Sequence, residues 1–152
     1  MNSSLCLLLN LTSTWAMVGL IWLIQVVHYP LFALVGEENF VRYSEDHQRW
    51  ITLIVLPLMF CELITSFAMW TQRPPQISST LVTVGIVLVI LIWASTFFIQ
   101  VPLHTRLTAG YDADTIRSLV NGNWIRTVAW TVRGLLTAYM AWQVLNAGTV
   151  NG

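Results

Sequence analysis

"STLVTVGIVLVILIWASTFFIQVPL", residues 79–103, contains no Asp, Glu, Lys or Arg. A helix crossing the hydrocarbon layer needs roughly 20 mostly apolar residues in a row, and this run supplies them without interruption. Three more stretches of similar character stand at about 13–35, 48–71 and 124–146. Each is set off by helix-breaking or polar residues. Gly36-Glu37-Glu38 follows the first, and Arg73-Pro74-Pro75 separates the second from the third. Pro102 and Gly110-Tyr111-Asp112 close the third, and Asn121-Gly122-Asn123 precedes the fourth. Backbone amides in lipid must be satisfied within the segment that crosses. The expected fold is therefore all-α, an integral membrane four-helix bundle forming a single domain over residues 1–152.

Composition agrees. The chain is 56% hydrophobic and 9% charged, whereas a soluble domain carries about 25% charged residues. All 7 basic residues are Arg, the formal net charge is zero, and no basic cluster interleaved with aromatics occurs. Nucleic acid is thereby discounted as a partner; the bilayer is the expected one. Cys6 and Cys61 are too few for a disulfide framework, and Cys6 is expected in an N-terminal tail, away from Cys61. The N-terminus lacks the positive flank of a cleaved signal, so the first span is expected to be retained.

Arg placement sets an orientation. Arg42 and Arg49 lie in or beside the first connection, and Arg106, Arg117 and Arg126 in or beside the third, against Arg73 alone in the second. The positive-inside rule then predicts a multi-pass cell-membrane protein with both termini extracytoplasmic. Ile24-Gln25-Val26 recurs as Ile99-Gln100-Val101, an offset of 75. Such a repeat would relate the two helical hairpins by a pseudo-two-fold axis along the membrane normal. The first and third connections, "EENFVRYSEDHQRW" (37–50) and "DADTIRSLVNGNW" (112–124), read as short amphipathic helices at the interface, the latter capped by Asp112 or Asp114.

Within each span the polar residues fall on one stripe at helical spacing. Gln25 and His28 share one; His47, Glu62 and Thr65 another; Thr96, Gln100 and His104 a third; Asn123, Arg126, Trp130 and Arg133 the last. Polar groups facing lipid are costly, so the stripes are expected to converge on the bundle interior. At about 1.5 Å of rise per residue, Glu62 and Arg133 lie at matching depths, roughly 15–20 Å from the cytoplasmic face. They are expected to form a structural ion pair.

Three functional readings follow. In the leading one, Gln25, His28, Gln100, His104, Asn123, Trp124 and Arg126 bind a small aromatic or quinone-like ligand in the cytoplasmic half. His28 serves there as the catalytic proton acceptor, and no cofactor is required. In the second, the stripes only join helices or meet a protein partner. In the third, His28, His47 and His104 bind a metal ion, or two of them a haem. Oligomeric state is left open.

"VPLHTRL" (101–107) followed by "NGNWIRTVAWTVRG" (121–134) resembles the anthrone-oxygenase-like family of small four-span membrane proteins. Members of that group carry a Pro-x-Asn-x-x-Leu element and then a segment containing Trp and Arg. Pro102, His104 and Leu107 match the first, with His104 standing where Asn is expected; Trp124, Arg126 and Arg133 match the second. The resemblance implies a four-span fold and, for some members, cofactor-independent oxygenation of polycyclic phenols.

Overall fold

The computed structural model describes residues 2–149, which form helices and short connections with no strand among them. There are four long helices: α1, Ser3–Phe32; α2, Glu37–Gln72; α3, Ser79–Leu107; and α4, Ala113–Thr149. The first three are long and apolar enough to cross a membrane. α4 is not among them, because Arg126, Arg133 and its several Thr and Asn side chains dilute its apolar character. Connections at 33–36, 73–78 and 108–112 are short, which makes successive helices antiparallel. α1 packs on α2 and α4, and α3 packs on the same two. α1 and α3 thus face each other across one diagonal of a square, and α2 and α4 across the other.

The helices are longer than the apolar spans. α1 begins at Ser3 rather than near residue 13, since the Asn2 side chain accepts the Ser4 backbone N–H at 3.0 Å and caps the helix. Cys6 is accordingly not in a tail: it is fully buried, and both cysteines are free. The expected interfacial helices do not exist as separate elements. Residues 37–50 are the first turns of α2, and residues 113–124 those of α4. Asp112 caps the latter, accepting from the Thr115 hydroxyl and from Asp114 N–H (3.1 Å), and these bonds hold its carboxyl below the usual carboxylate range. Asn121-Gly122-Asn123 fails to break α4 because tertiary contacts override its weak propensity. Asn123 bonds to α1, and Gly122 admits α3: a Cβ there would lie 2.9 Å from Ile99 Cγ2 and 3.3 Å from Gln100 Nε2. Gly122→Ala is therefore expected to destabilise the bundle by about 1–3 kcal/mol. An unchanged thermal midpoint in detergent would contradict that close approach.

Two π-helical turns interrupt the regular winding, Ile24–His28 in α1 and Thr96–Gln100 in α3. In each, an N–H reaches five residues back, Tyr29 to Ile24 and Val101 to Thr96. A proline follows at once, Pro30 and Pro102. Proline lacks an N–H and crowds the carbonyl four residues before it, and the widened turn accommodates both problems. The turns match at a spacing of 72, not 75, so it is His28 and not Gln25 that occupies the place of Gln100.

Three apolar clusters are stacked along the bundle. Cys6, Met69, Ile86 and Met140 form one end, Met17, Met59, Ile92 and Trp130 the middle, and Phe32, Phe40, Leu107 and Leu119 the other end. Outside, Leu23, Leu53, Ile64, Val87, Phe98 and Leu145 are each exposed. Large apolar side chains on every helix would be an aggregation hazard in water and are suited to acyl chains.

Candidate functional site

Two polar layers cross the interior, and they differ in whether their hydrogen bonds are complete. The first lies toward the end that carries the 73–78 connection. There Glu62 and Arg133 bridge the α2–α4 diagonal, with Arg133 Nε donating to Glu62 Oε1 at 2.5 Å and both side chains about 1% exposed. Glu62 also accepts from the Thr14 hydroxyl (2.8 Å) and Trp130 Nε1 (3.0 Å). The remaining guanidinium nitrogens donate to Gly85 O (2.6 Å), Ser66 Oγ (2.6 Å) and Asn10 Oδ1 (3.3 Å). The Asn10 amide in turn donates to Thr65 Oγ1 and Ser66 Oγ. Gly85 permits this: a Cβ there would sit 3.1 Å from Arg133 Nη1. All four helices contribute, and neither charge is left unpaired. A buried network satisfied to this degree rigidifies a fold and has no capacity left for a ligand.

The second layer lies toward the 33–36 and 108–112 connections. Tyr29, directly after the π turn, donates to or accepts from His104 Nε2 at 2.9 Å. His28 Nε2 meets His47 Nδ1 at 2.7 Å. The His47 and His104 rings are neighbours, with centroids 5.5 Å apart, and buried Phe32 packs edge-on against both His28 and His47. Arg126, 5% exposed, lies beside Tyr29 with its guanidinium over the Trp130 ring at 5.2 Å. Among the described residues no carboxylate pairs with Arg126. Its Nε, His47 Nε2, His104 Nδ1, Trp93 Nε1 and both amide atoms of Gln100 are buried without a hydrogen-bond partner.

A cavity of about 190 Å³ opens between α2 and α3 beside this layer. Arg126, Tyr29, His104, Trp93, Thr52 and Thr96 supply its polar wall, and Leu56, Phe97 and Val101 line it where those side chains are exposed on the outer surface. An engineered apolar cavity of about 150 Å³ holds a benzene ring, so this volume admits one substituted ring. Its walls are otherwise apolar, the usual composition of a small-molecule site. The wall thus combines a permanent cation, an indole and a phenol backed by an imidazole.

The residues singled out from sequence divide between these features. His104 and Arg126 line the cavity. His28 does not: it faces a separate groove of about 440 Å³ between α1 and α2, beside Tyr43, Asp46 and His47. Gln25 is not free to bind a ligand or to orient His28. Its Oε1 accepts from Asn123 (2.9 Å) and Thr127 (3.2 Å), and its Nε2 donates to Val120 O (3.1 Å), a clamp between α1 and α4. Gln100 is buried but off the cavity wall. Trp124 points outward, 43% exposed, and packs edge-on against Trp22. His28, His47 and His104 do gather, yet no group of three or more His, Cys, Asp or Glu side chains among the described residues is arranged to hold a metal ion. His28 Nε2 is engaged by His47 Nδ1, and His104 Nε2 by the Tyr29 hydroxyl.

Tyr29, Trp93 and Thr52 were missed as site residues. Trp93 could have been found, since it continues the Thr96–Gln100 stripe one turn earlier in α3. So could Tyr29, which stands four residues after Gln25 and thus at helical spacing from it. No protein-family model, curated protein or solved structure matches this chain, so its reading rests on the geometry above.

Proposed function

We propose that this chain is a four-span membrane protein whose α2–α3 cavity binds the oxygen-bearing ring of a small phenol- or quinone-type ligand. Its first and third connections then face the cytoplasm and both chain ends the outside, the arrangement favoured by the arginine distribution; Met1 and residues 150–152 fall outside the described residues. The observation that carries the reading is Arg126, a buried cation without a carboxylate, on the wall of an apolar cavity. An unpaired buried charge is expensive, and a ligand oxygen carrying negative charge or a lone pair relieves that cost. Trp93, whose buried Nε1 has no partner, lines the same cavity, and the gap past Leu56, Phe97 and Val101 lets an apolar substituent extend among acyl chains. The segments that resemble the anthrone-oxygenase-like group supply His104 and Arg126, which favours a phenolic ligand and an oxygenase or oxidoreductase role.

The complete satisfaction of Gln25 favours the rival in which polar residues only join helices. Titration of the nanodisc-embedded protein with an alkyl benzoquinone separates the two. Saturable quenching of tryptophan fluorescence is expected, with affinity about five- to tenfold lower in Trp93→Phe, the worth of one hydrogen bond. Quenching that never saturates would favour the rival.

A further inference from the structure

We infer that Tyr29, His104, His47 and His28 form a proton-transfer row between the cavity and the α1–α2 groove, making the ligand one that gains or loses a proton while bound. This rests on the cavity reading and adds what the bound ring does. Tyr29 lines the cavity, and its hydroxyl meets His104 Nε2 at 2.9 Å. The opposite nitrogen of that ring, Nδ1, is buried without a partner, and so is Nε2 of the neighbouring His47. The two rings lie 5.5 Å apart between centroids and are tilted by 31°. His47 Nδ1 then meets His28 Nε2 at 2.7 Å, and His28 opens onto the groove beside Asp46.

Each imidazole is therefore entered at Nε2 and left at Nδ1. Neutral imidazole holds one donor and one acceptor nitrogen, so it accepts a proton on one side and releases its own on the other. The one link without a direct hydrogen bond is His104 to His47, whose Nδ1 and Nε2 both lack a partner in rings 5.5 Å apart, and the row requires a bridging water or a ring rotation there. The step is a proton transfer alone. The O–H bond of a bound phenol breaks and its proton passes to Tyr29 oxygen as the Tyr29 proton moves to His104. One proton leaves at His28, and the phenolate stays beside Arg126. No electron moves. The charged and titratable groups around the row are His28 and Tyr29 from α1, Tyr43, Asp46 and His47 from α2, His104 from α3 and Arg126 from α4.

The test uses a 4-nitrophenol bearing an alkyl chain, whose phenolate is coloured, bound to the full chain in nanodiscs and subjected to a pH jump. Wild type is expected to interconvert phenol and phenolate quickly. His47→Gln keeps a polar side chain but cannot pass a proton through a ring. It is expected to bind the probe within about twofold of wild type while the interconversion slows at least about tenfold. His28→Ala, at the accessible end of the row, is expected to slow similarly and to regain its rate on adding imidazole, a rescue that a purely structural histidine would not show. Wild-type rates in both variants with the probe bound overturn the row and leave the cavity reading standing. Failure of wild type to bind the probe removes the cavity reading, and the row with it.

Discussion

Arg133→Met is expected to lower the stability of the folded chain by about 3–5 kcal/mol, the cost of stranding one partner of a buried ion pair. The substitution keeps most of the side chain's bulk but leaves Glu62 charged and 1% exposed, with only Thr14 and Trp130 as donors. It also takes a donor from Gly85 O, Ser66 and Asn10. Total stabilities of about 5–15 kcal/mol make this a large fraction of what holds the bundle together. A drop of roughly 6–20 °C in thermal midpoint follows for a chain of this length. Cys6 provides the readout: it is fully buried and its thiol donates to Thr65 O, so a thiol-reactive dye reports the loss of packing around it. Glu62→Gln combined with Arg133→Met should be less damaged than the sum of the single variants, because the double change leaves no stranded charge. Additive losses, or a midpoint within a degree or two of wild type, would refute the pairing as a source of stability.

That pair was legible in the sequence, and the reason shows where such reading succeeds. Depth depends only on residue count along a regular helix, and Glu62 and Arg133 both lie in regularly wound stretches of α2 and α4. The same geometry assigned Gln25, Asn123 and Arg126 to the interior, where they are buried, along with His104, which lines the cavity half-buried. It could not say which of them meet. Gln25 and Arg126 are both buried and both polar, yet each amide atom of Gln25 has a partner and Arg126 Nε has none. That distinction depends on which helices are adjacent and how they are rotated. The π turns shift the rotation within α1 and α3, so stripe assignments made before Ile24 and Thr96 no longer hold after His28 and Gln100. Trp124 was misplaced for a related reason: it neighbours polar residues in sequence while lying on the outer face of α4. Asn121-Gly122-Asn123 reads as a break only when Gly122 is considered apart from Ile99, which occupies the space a side chain would need.

Arg126→Met should act in the opposite sense to Arg133→Met, although the two arginines lie on the same helix and are both buried. Arg126 meets no carboxylate among the described residues, and its Nε has no partner. What it contributes to the fold is its contact with the Trp130 ring and its interaction with the Tyr29 hydroxyl. A buried cation without a carboxylate is costly, and replacing it with an apolar side chain of similar length removes that cost. The thermal midpoint of Arg126→Met is therefore expected to equal or exceed that of wild type. Binding should move the other way: loss of a charge-assisted hydrogen bond worth about 1.5–3 kcal/mol weakens affinity for an alkyl benzoquinone by roughly 10- to 150-fold. The two measurements belong on one sample, midpoint by thiol reactivity and affinity by tryptophan quenching. A variant that loses stability and keeps its affinity would make Arg126 a packing residue like its neighbour. A variant that gains stability and loses affinity would show a fold holding an unpaired charge in its interior for the sake of what binds there.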